Sequence, residues 1–177
     1  MVIMDTKDYF FDSIDTLISH IVNFLDNPTP LKVQKSLYFL WAFYAATYGN
    51  IDYDEETDFS KQEQYPRRLF KANFEAWSYG PVINSVFAEY HQTNGFKGVS
   101  DGYVESEISD PNEKEVWSFI NDLLAQINKV NDFGLVERSH QDSAWKNAYK
   151  EGQRHCQMNN EDIKRDYMNY VNEQSKI

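Results

Sequence analysis

The sequence predicts a mainly α fold, a single compact domain of about six helices with a small two-stranded β-hairpin added. Three observations carry this expectation. Apolar residues recur at three- and four-residue steps through several long segments, the mark of a helix with one buried face. Two helix starts can be read directly, at Thr29-Pro30 and Asp110-Pro111. A chain of 177 residues, 41 % hydrophobic and 16 % aromatic, can build a substantial core, and no internal repeat or linker divides it. The whole span 1–177 is therefore expected to be one domain.

The first helix is predicted over residues 8–26, where Phe10, Ile14, Leu17, Ile18, Ile21 and Leu25 form one apolar stripe. Asn27-Pro28 ends it. Thr29 then caps a second helix over 30–48 with Pro30 in its first turn, and Gly49 stops it. Val33, Leu37, Leu40, Trp41 and Tyr44 spread around much of this helix, which places it at the centre. Residues 50–68 lose the periodicity and carry the acidic run Asp52, Asp54, Glu55, Glu56 and Asp58, so an exposed acidic insertion or loop is expected. Phe74–Trp77 reads as a short strand. Alternation over Gly102–Ile108 suggests a partner for it.

Pro81 is expected to open a third helix that runs to about His91, with Asn94-Gly95 as its stop. The fourth starts at Asp110-Pro111-Asn112-Glu113, an acidic cap, a first-turn proline and a capping-box glutamate. Val116, Phe119, Ile120, Leu123, Leu124 and Ile127 supply its buried face. Residues 133–150 suggest two short helical pieces, the second capped by Asp142 or Ser143. A final helix begins at Asn160 and carries Ile163, Tyr167, Tyr170 and Val171.

Charge narrows the partners. Seventeen Lys and Arg face 28 Asp and Glu, for a net charge of −11. A nucleic-acid surface needs clustered cations to displace counterions, so no nucleic-acid partner is expected and a basic or neutral one is favoured. The single cysteine, Cys156, excludes an intrachain disulfide and fits a reducing compartment. No apolar run approaches the roughly 18–20 residues of a membrane span, and Asp5 and Asp8 precede any apolar stretch, so a cytoplasmic protein without membrane attachment is expected.

Catalytic chemistry finds little support. His20, His91, His140 and His155 share no metal-ligand spacing, and no phosphate loop or nucleophile elbow is present, so no metal and no cofactor is expected. The one pairing suited to acid–base work is Glu75 with His140, which would make a hydrolase if both reached one substrate. The favoured reading gives each a structural partner instead. Among the aromatics, Trp41 and Trp117 sit on helical stripes and are expected in the core. Trp77, Tyr79 and Trp145 are candidates for a binding hot spot, and Gly80-Pro81 would permit close backbone approach and fix the chain direction beside them.

Three segments, in order, resemble one known family. They are Leu31-Lys32-Val33-Gln34-Lys35-Ser36-Leu37-Tyr38-Phe39, then Phe74-Glu75-Ala76-Trp77-Ser78-Tyr79-Gly80-Pro81-Val82, then Ser139-His140 followed by Trp145. They are similar to the motifs of the SocA-like, or Panacea-domain, antitoxins of bacteria and their phages, and the resemblance runs from the first helix to about residue 170. Two departures stand out: the longer 50–68 segment, and Ser36 where a leucine is usual.

The resemblance implies a mainly α domain that binds and neutralises a toxin by direct protein–protein contact, without catalysis, and that is carried in some cases by a prophage. It equally implies two alternatives, a proteolytic adaptor that delivers a partner to a protease, or a phage-encoded inhibitor of a host defence protein. Carried onto this chain, the partner-binding positions are Glu75, Trp77, Tyr79, Gly80, Pro81, His140 and Trp145. The partner expected is a cognate toxin. Oligomeric state is left open by the sequence.

Overall fold

Helix α2 (Pro30–Thr47) organises everything else. It is buried without interruption from Lys32 to Ala42. A helix buried all round must be surrounded, and α2 touches α1 (Ile14–Phe24), the strand β2 (Gly80–Ile83), α3 (Asn84–Thr93), α4 (Pro111–Asn128), α5 (Asp132–His140) and α7 (Asn160–Gln174). The remaining elements are β1 (Phe74–Trp77) and α6 (Ser143–Ala148). The fold is that of a computed structural model, which describes residues 8–49, 65–96 and 108–175. It is mainly α, with seven helices and one hairpin among the described residues. The acidic run of the predicted 50–68 insertion, and nearly all of the predicted strand over 102–108, lie outside them.

Several predicted starts are confirmed by their capping bonds. The Thr29 side chain accepts from Lys32 N, that of Asp110 from Asn112 N, and that of Asn159 from both Glu161 N and Asp162 N. Asn94 ends α3 in the left-handed region, φ 55°, as a short polar side chain tolerates. Trp41 and Trp117 are in the core as expected.

Two boundaries differ from expectation, each for a physical reason. The first helix begins at Ile14, not residue 8, because Ser13 caps it by accepting from Asp15 N. Over residues 8–12 the chain is not helical: Phe10 N and Phe11 N donate to Arg68 O and Leu69 O at 3.0 and 2.9 Å. Phe11 packs edge-on against Trp117 from that strap. Its apolar spacing matched a helix, but its backbone is paired with residues 68–69. Beside this pairing, Tyr65, from the end of the predicted loop, is buried and reaches Glu115, and Tyr44 donates to the Pro66 carbonyl.

The second correction concerns Pro81, which lies in a strand and does not open a helix. The hairpin pairs Phe74 with Ile83, Glu75 with Val82, Ala76 with Pro81 and Trp77 with Gly80. The partner of β1 is thus the next segment of chain. Gly80 closes the turn at φ 99°, a conformation that costs glycine little. Ile83 turns its N–H and C=O away from β1, where the Gln34 side chain accepts from the one and donates to the other. Pro81, two residues earlier, has the same orientation, so its missing N–H faces a position where no strand lies. Helix α3 follows with no side-chain cap, so no local signal marked its true start.

Candidate partner-binding site

The hairpin, itself the second motif segment, is held by side chains from the other two segments and by the backbone of residues 156–158. On the outer edge of β2, Gln34 takes Ile83, and Lys35 Nζ donates to Pro81 O at 2.9 Å. At the turn, His140 Nε2 donates to Ser78 O at 2.9 Å and Trp145 Nε1 donates to Trp77 O at 2.8 Å. On the outer edge of β1, Ala76 N donates to Cys156 O and Met158 N to Phe74 O, both at 2.8 Å. A two-stranded hairpin alone is marginal in water. Here helix side chains and the 156–158 segment stand where further strands would.

Beneath the turn the packing leaves no room for a side chain at residue 80. A Cβ on Gly80 would lie 2.4 Å from Ser139 Oγ and 2.8 Å from Lys35 Cε. His140, Trp145 and Tyr149 stack in series, with centroids 4.1 and 4.7 Å apart. This stack stiffens the two donors that grip the turn.

The seven predicted positions therefore divide. Gly80 and Pro81 are buried within the hairpin; His140 and Trp145 hold its turn from α5 and α6. Trp77 is half-buried, and Tyr79 at the tip is 62 % exposed. Glu75 is separate. It is buried on β1, and its Oε1 accepts from His155 Nδ1 at 2.6 Å. Glu75 and His140, the pair of the hydrolase reading, each have a different hydrogen-bond partner, His155 for the one and Ser78 O for the other. Among the described residues no group of three or more His, Cys, Asp or Glu could hold a metal ion.

Lys35 and Asp142 have roles that the sequence reading did not assign. Lys35 is 1 % exposed with no acidic partner among the described residues, and burial lowers its amine from 10.5 to about 7. Asp142 stands at the N-cap of α6 but makes no side-chain cap bond. It accepts instead from Tyr38 OH and Tyr167 OH, at 2.6 and 2.7 Å, and from Arg138 Nη1 at 2.9 Å. Burial pushes the carboxyl up, against the opposing pull of those three donors. The cap of α6 comes from Asp166 of α7, which accepts from Ala144 N at 2.8 Å and from the Ser143 hydroxyl. Periodicity offers no sign of either exchange.

One surface around the hairpin is open. A groove of about 220 Å³ runs between the tip, the start of α2 and the outer face of α3, lined by Leu31, Trp77, Tyr79, Val86, Phe87 and Tyr90 among others. Phe87 is 38 % exposed and meets Trp77 edge-on at 4.8 Å.

The family model for the antitoxin SocA-like, Panacea domain matches residues 55–146. The chain belongs to this antitoxin family. The match takes in the hairpin, α3, α4, α5 and the start of α6, and with them all seven predicted positions. It is shorter than the resemblance read from the motifs: α2, which supplies Gln34 and Lys35 to the Panacea hairpin, lies outside the matched span, as do α1 and α7. No curated protein and no solved structure matches the chain. No helix among the described residues is long and apolar enough to cross a membrane.

Proposed function

We propose that this Panacea-domain protein neutralises a protein toxin in the cytoplasm by direct contact, masking the toxin's active surface with the face built around the hairpin tip. The observation that carries the reading is Tyr79, 62 % exposed on a turn whose neighbours are pinned from three helices. Binding energy concentrates in aromatic anchors presented by rigid scaffolds, because little side-chain and loop entropy is then lost on association. The adjoining groove and half-exposed Phe87 extend the apolar area. Neutralisation of this kind needs affinity and occlusion and no reaction. The net charge of −11 favours a toxin with a basic face and would speed its encounter.

Tyr79→Ala tests this directly, since truncating an exposed ring should leave the melting temperature unchanged. Co-expression with the cognate toxin should show weakened co-purification and poorer rescue of growth, with affinity down by roughly tenfold or more, as for a hot-spot residue. Undiminished toxin binding by a folded Tyr79→Ala chain would remove the hairpin tip from the interface.

A further inference from the structure

Lys35 is a buried amine without a counter-charge, and it stands at the wall of the groove beside the hairpin tip. It is 1 % exposed, and its Nζ has one acceptor among the described residues, the Pro81 carbonyl. An ammonium carries three donors, so most of its hydrogen-bonding capacity is unused. The carbonyl belongs to the peptide that joins Pro81 to Val82, and Val82, Tyr79 and Lys35 itself all line the groove. Among the described residues no acidic side chain belongs to the lining, and Lys35 is its one basic member. We propose that this groove is a binding site for a small aromatic carboxylate, its ring between the hairpin tip and α3 and its carboxylate toward Lys35. The site goes beyond the reading of the chain as an antitoxin and does not depend on it.

Size and charge both select this class of ligand. A cavity of about 150 Å³ lined by apolar side chains takes up benzene, so about 220 Å³ admits a ring with a short acidic arm. Trp77, Phe87 and Tyr90 offer ring faces and edges to it. A neutral ligand would leave the amine as it is, and a cationic one would add a second unpaired charge. A carboxylate supplies the partner that the buried amine lacks. It needs no direct bond to do so, because charges shielded from water attract across several ångströms. Protonation and binding then reinforce each other: burial lowers the amine to about 7, and a bound anion raises it again.

The isotope-labelled full chain is titrated with phenylacetate, phenylacetamide and acetate and followed by NMR. At about pH 6 phenylacetate should shift the Leu31, Tyr79 and Val86 amides saturably and bind at least about fivefold tighter than phenylacetamide, since contacts between charged groups are roughly twice as strong as neutral ones. Acetate, which has no ring, should leave those amides in place. By about pH 9 the advantage of the acid should be gone, because the amine is then neutral. Other titratable groups stand nearby, Tyr79 and Tyr90 in the lining and His140 at Ser78 O. Lys35→Met leaves all three in place and should bind acid and amide alike at both pH values. If that variant does not fold, the pH series on the unaltered chain and on His140→Gln decides, and the same loss of preference is expected in both. Equal binding of acid and amide by the native chain at about pH 6, a preference that survives in folded Lys35→Met, shifts confined to another face, or no shift at all overturns the proposal.

Discussion

Asp142 and Lys35 are both ionisable and both buried, yet the molecule holds them in opposite ways. Asp142 is surrounded by donors: two tyrosine hydroxyls, from α2 and α7, and the Arg138 guanidinium, which also lies over the Tyr167 and Tyr170 rings at 5.5 and 4.9 Å. Lys35 has one neutral carbonyl. A buried charge with matched partners ties elements together, whereas one without them adds a cost that its site must carry. The helical core around α2, α5 and α7 is thus tied by a saturated node. The hairpin is tied in part by a residue whose charge is out of place. The contrast predicts that core and hairpin answer differently to mutation and to pH.

The largest effect should come from breaking the saturated node. Asp142→Ala removes the common acceptor of three donors and takes the carboxylate from Tyr38 and Tyr167, both 0 % exposed. Removing one partner of a buried pair costs about 3–5 kcal/mol, enough to threaten a domain of ordinary stability. Denaturant unfolding should show that loss, and Asp142→Asn should lose less because its amide oxygen still accepts from the tyrosines. A loss below about 1 kcal/mol for Asp142→Ala would mean that the node is incidental and the comparison wrong.

Lys35 comes next, and its signature is pH. The folded-state pKa of about 7 lies below the ordinary lysine value of 10.5, so between these limits the unfolded chain binds more protons than the folded one. Stability should therefore rise with pH across that window and fall as pH drops through 7. At its steepest the slope is about 1.4 kcal/mol per pH unit. The upper end is set by the tyrosines: burial raises Tyr38 and Tyr167, and Tyr48 to about 12, so the stability they contribute below pH 10 is lost as pH climbs further. Chemical denaturation from pH 6.5 to 9.5 should show the rise in the native chain and a flattened profile in Lys35→Met. A native profile already flat would place a counter-charge beside Lys35.

The same contrast explains what could be read before the fold was known. Helix existence was legible wherever a stripe coincided with a cap, as at Thr29-Pro30 and Asp110-Pro111. It misled at Phe10, whose helical spacing belongs to a strap paired with residues 68–69, and at Pro81, where proline serves equally at a helix start and at a strand edge. Of the site, Trp77 and Tyr79 were legible as surface aromatics beside a turn. Gln34, Lys35 and Asp142 were not, because each works through a partner 46 or more positions away: Ile83, Pro81 and Tyr38. Nor could spacing show that Glu75 faces His155 and not His140.

The smallest effect isolates the grip on the turn from its packing. Trp145 both donates to Trp77 O and stacks between His140 and Tyr149. Trp145→Phe keeps a ring in the stack and deletes the donor, while His140 still holds Ser78 O. A single neutral hydrogen bond is worth about 0.5–1.5 kcal/mol net, so the melting temperature should fall by only a few degrees. Hydrogen exchange should localise the change, with the hairpin amides losing protection while those of α2 and α7 keep theirs. That pattern is expected because the turn is held by several separate bonds, each of which can open without disturbing the Asp142 node. Equal loss of protection in α7 would show that hairpin and core open as one unit, and the two ways of holding a buried charge would then be parts of a single cooperative structure.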